Sequence, residues 1–171
     1  IGLRGAGKSS LGLMLADELD LPFIELTREV ERLAGCGLDE IHSLLGAGAY
    51  RRYERRALEE VIEQCPRAVI ATPGGIVSDP TTFNLLLSQC FTVWIKASAQ
   101  EHMQRVMAQG DLRPMAGNRE AMADLRRILE GRAALYARAD LQIDTTDRTL
   151  EEAFTLLREG LRDALGPEDE G

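Results

Sequence analysis

The string Gly2-Leu-Arg-Gly-Ala-Gly-Lys-Ser9 satisfies G-x-x-x-x-G-K-[ST], and it restricts the fold more than any other stretch of the chain. Its glycines let backbone N–H groups turn inward around an anion, and a helix that follows points its positive end at the same place. A lysine at the seventh position of the pattern supplies a point charge for terminal phosphates, and the next hydroxyl can ligate Mg²⁺. The reading assigns a polyphosphate cradle to Gly2, Arg4, Gly5, Ala6, Gly7, Lys8, Ser9 and Ser10. Arg4 either adds charge to a phosphate-rich ligand or points to solvent. The competing explanation is a glycine-rich turn with a chance lysine. The apolar stripe Leu11, Met14, Leu15 and Leu19 argues against it, because that spacing predicts a helix directly downstream. Such a loop must also follow a buried strand. Only Ile1 precedes Gly2, so the chain is expected to begin in mid-element and to continue upstream.

Strand and helix periods alternate beyond the loop. Strands are predicted at Leu21–Leu26, Ala68–Ala71, Phe91–Ile95 and Leu141–Ile143, and helices near Arg28–Ala34, Asp39–Leu45, Tyr50–Gln64 and Arg119–Arg138. Ser78-Asp79-Pro80 reads as a capped helix start, and Ser98-Ala-Gln-Glu101 and Thr149-Leu-Glu-Glu152 read as capping boxes. Residues 109–120, rich in Gly, Pro and polar side chains, are expected to form a lid, and 166–171 an acidic tail. Alternation of this kind implies a doubly wound α/β domain, a three-layer α/β/α parallel sheet of the P-loop NTPase, nucleoside-monophosphate-kinase-like class, over residues 1–165.

Composition removes several functions. With 28 acids against 20 bases and a net charge of −8, the domain repels nucleic acid and anionic membrane surfaces at long range. No apolar run approaches the roughly 20 residues of a membrane span. Cys36, Cys65 and Cys90 lack metal spacing and read as reduced thiols of a cytoplasmic protein. His42 and His102 have no partner spacing for metal or triad chemistry.

Past the phosphate loop, the order of motifs resembles the shikimate kinases over nearly the whole chain. The matching stretches are Glu25-Leu-Thr27, Tyr50-Arg51 with Glu54, Pro73-Gly74-Gly75, Arg113-Pro114 and Arg132-Ala-Ala-Leu-Tyr136. The resemblance implies that Arg51, Arg132, Gly74 and Gly75 hold the carboxylate and hydroxyls of a shikimate-like acid. It further implies that Lys8 and Arg113 act catalytically on the transferring phosphate of ATP, and that Ser9 and Glu25 serve Mg²⁺. Two departures lie on the acceptor side. Thr27 stands where the family carries its catalytic Asp, and a hydroxyl is no base near neutral pH. A positioned base typically contributes about 10²–10⁴ in rate. Pro73 stands where the glycine turn begins, which removes an N–H donor and fixes φ. The phosphate side is intact, and that asymmetry argues for a retained cofactor-type ligand and altered chemistry.

The chain also resembles the C-terminal effector domain of benzoyl-CoA-responsive helix-turn-helix transcriptional regulators. The residues concerned are 25–35, 49–59, 71–75 and 110–120. That resemblance implies a sensor of an aromatic acyl-CoA, with the pyrophosphate of a CoA-type ligand in the cradle. Its further partners would be DNA, through a domain upstream of Ile1, and room for a homodimer. This sensor is the main expectation from sequence. The alternative is an active ATP-dependent shikimate kinase phosphorylating the shikimate 3-hydroxyl, followed by a kinase for another small molecule.

Overall fold

The computed structural model describes residues 1–3, 5–108 and 118–166. In chain order the elements are α1 (Lys8–Leu19), β1 (Phe23–Glu25), α2 (Leu26–Ala34), α3 (Leu38–Glu40), a π-helical turn (Ile41–Leu45), α4 (Gly46–Gln64) and β2 (Val69–Ala71). A 3₁₀ turn (Gly74–Ser78), α5 (Pro80–Gln89), β3 (Val93–Lys96), α6 (Ala99–Ala108), α7 (Asn118–Tyr136), β4 (Leu141–Asp144) and α8 (Leu150–Leu165) complete the order. They fall into two compact units, one of residues 1–11 with those described from Phe91 onward, the other Gly12–Cys90.

In the first unit β3 and β4 run parallel in the register Val93↔Leu141 to Lys96↔Asp144. Ile1 pairs along β3 as well, its amine donating to the Val93 carbonyl at 2.7 Å and its carbonyl accepting from Ile95 N at 2.9 Å. Trp94, Ile95, Met103, Tyr136, Ile143, Ala153 and Leu157 form the core. Trp94 stacks on Tyr136 with ring centroids 5.5 Å apart. A methyl group on Gly160 would lie 3.1 Å from Leu141 Cδ2, so α8 packs on β4 through a residue with no side chain. In the second unit β1 and β2 run parallel, Phe23↔Val69 to Glu25↔Ala71. Leu26, Val30, Ala57, Leu58 and Val61 bury the facing sides of α2 and α4.

Both described strand pairs are parallel, as the alternating pattern implied. Several boundaries moved. The strand expected over Leu21–Leu26 is only Phe23–Glu25, because Leu26 opens α2 and is wholly buried. A short apolar run does not by itself separate a buried helix start from a strand. The helix expected over Asp39–Leu45 changes to a wider π turn at Ile41, and Gly46 (φ 84°) then resets the chain for α4. That helix begins four residues ahead of Tyr50, through Gly-Ala-Gly-Ala that reads locally as a breaker. The apolar stripe of α1 is partly correct: Leu11 is buried, whereas Leu19 is exposed. Of the expected lid, 118–120 is the first turn of α7, and 109–117 lies outside the described residues, as does 167–171 of the tail. Among the described residues no helix is long and apolar enough to cross a membrane. Cys36, Cys65 and Cys90 are free thiols.

The helix starts follow the local chemistry. Asp79 Oδ1 accepts from Thr81 N at 2.9 Å and Thr82 N at 3.3 Å, with Pro80 at the first helical position. Thr149 and Glu152 close a reciprocal capping box on α8. Asp79→Ala and Thr149→Ala are each expected to destabilise the fold by about 1 kcal/mol, measured by urea denaturation. Unchanged midpoints would show that neither cap matters.

Candidate functional site

The loop between Ile1 and α1 is built by backbone conformations that side chains oppose. Gly2, Gly5 and Gly7 have φ of 146°, 81° and 93°, a region where only glycine is comfortable. A Cβ on Gly2 would stand 2.5 Å from the Ile95 carbonyl oxygen, so the loop leaves β3 closer than any alanine could. Ala6 is buried, and its N–H donates to Leu3 O at 3.1 Å. Ser9 and Ser10 are exposed in the first turn of α1, where unpaired N–H groups and the helix dipole favour an anion. The Lys8 ammonium donates to Gly2 O at 2.6 Å and Leu3 O at 2.9 Å. Burial, and after it the charge of Arg132, pulls the Lys8 pKa down to about 8.

Beside the loop lies a cavity of about 410 Å³. Gly5, Ala6, Gly7 and Ser10 form one wall, and Arg105 of α6 with Thr145, Arg148 and Thr149 forms another. Leu11, Ala108, Leu150 and Ala153 give it an apolar end. Leu150 is 47% exposed. A polar end rich in N–H groups and cations, opening onto an apolar shelf, suits a phosphorylated ligand with a flat ring. Arg105, Arg148 and Leu150 were not found by sequence reasoning. Arg105 lies a hundred residues from the loop in sequence, and a lone helical arginine reads as solvated.

The other expected site residues are distributed as follows. In the second unit Arg51 is half-buried, and its Nη1 donates to Glu54 Oε1 at 2.9 Å and to the Gly75 carbonyl at 2.8 Å. Glu54 is wholly buried and also accepts from the Tyr50 hydroxyl at 3.0 Å. Burial, and then the Glu54 carboxylate, pushes the Tyr50 pKa up, so the hydroxyl stays a donor. His42 stacks on the Tyr50 ring at 4.4 Å. The structure thus brings together Arg51, Glu54 and Gly75. Gly74 and Gly75 open the 3₁₀ turn behind Pro73, whose φ of −61° is ordinary for proline. Glu25 ends β1 and pairs with Arg28 at 3.5 Å, and Thr27 is half-buried in the first turn of α2. In the first unit Arg132 hydrogen-bonds the side chain of Tyr136, four residues on, and its charge reaches Lys8. His102 is buried in α6. Arg4 and Arg113 lie outside the described residues.

Among the described residues no group of three or more His, Cys, Asp or Glu could hold a metal ion. An Mg²⁺ carried on ligand phosphates takes only one or two protein oxygens. Ser9, an exposed hydroxyl at the end of the loop, has the chemistry for one.

The shikimate kinase family model matches residues 4–162. The chain is 33% identical over 161 residues to the shikimate kinase of Paramagnetospirillum magneticum, covering 94% of this chain and 82% of that one. With the shikimate kinase of Caulobacter vibrioides it shares 35% over 163 residues, 93% of this chain and 80% of that one. The chain belongs to the shikimate kinase family. The family's fold agrees. A shikimate kinase of Acinetobacter baumannii, solved in complex with shikimate, superposes with a TM-score of 0.79 at 25% identity over 99% of this chain and 92% of that one. The enzyme from Bacteroides thetaiotaomicron gives 0.82 at 25%, over 97% and 96%. The chain therefore has the P-loop α/β fold with parallel strands that the sequence pattern implied. The same matches overturn the main functional expectation. Relatives aligned over more than nine-tenths of this chain are shikimate kinases, so the acyl-CoA-sensing effector domain, its CoA-type ligand and its DNA partner are withdrawn in favour of the kinase alternative.

Lys8 offers a measurement free of any assumption about the acceptor. Its folded pKa near 8 lies below the ordinary lysine value of 10.5. The folded state is therefore disfavoured by the buried charge below pH about 8, and gains stability as pH rises from there toward 10.5. A bound polyphosphate favours the charged amine. ADP binding at pH 8 should then take up about half a proton per site, read by calorimetry in buffers of different ionisation enthalpy. Lys8→Met should take up none, and zero uptake by the wild type would contradict the depressed lysine.

Proposed function

We propose that this chain is an ATP-dependent phosphotransferase of the shikimate kinase type, moving the γ-phosphoryl group of ATP to the 3-hydroxyl of shikimate. One observation carries the reading: an intact phosphate loop ending in Lys8 and Ser9, in a chain 33% and 35% identical over 93% or more of its length to shikimate kinases. Bound Mg²⁺ would neutralise charge on the transferring phosphates. Gly5 and Gly7 present backbone N–H groups to the phosphates, while the Ala6 N–H is held by Leu3 O, and Lys8 leaves its carbonyl partners to join them. Ser9, and Glu25 through a water, are the protein's share of the metal site. Thr145, Arg148 and Leu150 hold the nucleoside end.

On the acceptor side the family resemblance gives Arg51, Arg132, Gly74 and Gly75 the carboxylate and hydroxyls of the acid, and Arg113 the transferring phosphate. Arg51 enters this role already oriented, since Glu54 and the Gly75 carbonyl fix its guanidinium. The 3-hydroxyl oxygen attacks phosphorus, the bond to the β-phosphate oxygen breaks, and ADP leaves. The hydroxyl proton has no carboxylate to receive it at Thr27 and passes to water or to the transferred phosphate. Phosphoryl transfer relies mainly on positioning and charge neutralisation, so the reaction proceeds without that base, but slowly. Such a kinase works on soluble cytoplasmic substrates.

The test is steady-state ADP release with Mg²⁺, with and without shikimate. Shikimate should stimulate release in the wild type, and Lys8→Ala should abolish it. Thr27→Asp restores a carboxylate at the start of α2, where the helix dipole tolerates negative charge, and should raise kcat by about 10²-fold with little change in KM. ADP release indifferent to shikimate, in both the wild type and Thr27→Asp, would remove this acceptor.

A further inference from the structure

The phosphate loop works only if its peptide N–H groups face the ligand, and that turns the carbonyls of the same peptides outward. Two of the loop's carbonyls are held by Arg105. Arg105 Nη1 donates to Ala6 O at 2.9 Å and to Gly5 O at 3.2 Å. The same nitrogen would stand 3.8 Å from a Cβ on Gly7, so the guanidinium lies along the turn. The other end of Arg105 faces Glu101, Nη2 to Oε1 at 3.9 Å, a charge contact rather than a hydrogen bond. That same Oε1 accepts from Asp147 N at 2.9 Å. Asp147 has φ 56°, a left-handed conformation in the turn between β4 and α8, next to the cavity residue Arg148. Glu101 is itself fixed by its capping box, Ser98 Oγ accepting from Glu101 N at 3.2 Å.

We infer that Arg105 and Glu101 are positioning residues that pre-shape the nucleotide site: Arg105 clamps the outward carbonyls of the phosphate loop, and Glu101 ties that clamp to the turn carrying Arg148 and Thr149. The inference deepens the nucleotide half of the proposed function and rests on that reading. Arginine suits the task because its donors are planar and its charge is permanent, so the contact survives any pH at which the fold survives. Two carbonyls aimed at one cation fix the orientation of the Gly5–Ala6 and Ala6–Gly7 peptides before a ligand arrives. The expected effect is on donor binding, with acceptor binding left alone.

The decisive measurement uses the ligand-free full chain. In Arg105→Met the ¹⁵N order parameters of Gly5, Ala6 and Gly7 should fall from rigid values toward about 0.6. Those of β3 and β4 should stay unchanged. ADP affinity by calorimetry should weaken about ten-fold, and the KM for ATP should rise while that for shikimate does not. Glu101→Gln keeps the acceptor for Asp147 N but loses the charge facing Arg105, and should show a smaller change in the same direction. It also serves if Arg105→Met does not fold. Order parameters that stay rigid in the loop would overturn the inference, whatever happens to affinity, because Arg105 would then act on the nucleotide directly or not at all. A wild type that does not bind ADP would instead sink the nucleotide reading, leaving the loop measurement to decide the clamp by itself.

Discussion

The approach of Gly2 to the end of β3 is the constraint on which the first unit depends. A Cβ there would press to 2.5 Å on the Ile95 carbonyl oxygen, a distance no packing adjustment of a side chain relieves, because both groups are backbone. That close exit turns the chain into three left-handed glycines and delivers α1 with its free N–H groups directed at one point. Lys8, Ser9 and the cavity residues follow from this geometry. Replacing any of the three glycines would distort the cradle rather than merely weaken a contact.

The second unit is organised by a buried carboxylate. Glu54 is wholly inaccessible and receives both the Tyr50 hydroxyl and the Arg51 guanidinium. An isolated charge at that depth would be costly, and two donors are what make it tolerable. The consequence is that Arg51 is held against Gly75 O at 2.8 Å, with the position of its guanidinium set by these contacts. Thr27 and Pro73 remain the departures from the family's sequence pattern. They subtract a base and a donor, while the phosphate loop is complete.

Local chemistry was the legible part of the sequence. The phosphate loop, the Asp79-Pro80 helix start and the capping boxes at Ser98 and Thr149 follow from residues within a turn of one another, and each appears in the structure. The start of α2 at Leu26 and the π turn over Ile41–Leu45 were not legible, because tertiary burial decides them. Glu54 was missed as a buried anchor, since a charged helix face ordinarily meets water. Arg105 was missed because its partners are 99 and 100 residues away. The functional reading failed for a different reason. Thr27 and Pro73, together with short stretches resembling a regulator's effector domain, point away from a kinase, whereas the family match runs from residue 4 to 162.

³¹P NMR of the wild-type chain with Mg²⁺, ATP and shikimate tests phosphoryl transfer to shikimate most directly. A new phosphomonoester resonance should grow in equal amount with ADP. ADP accompanied only by inorganic phosphate, or an unchanged ATP spectrum, would contradict it.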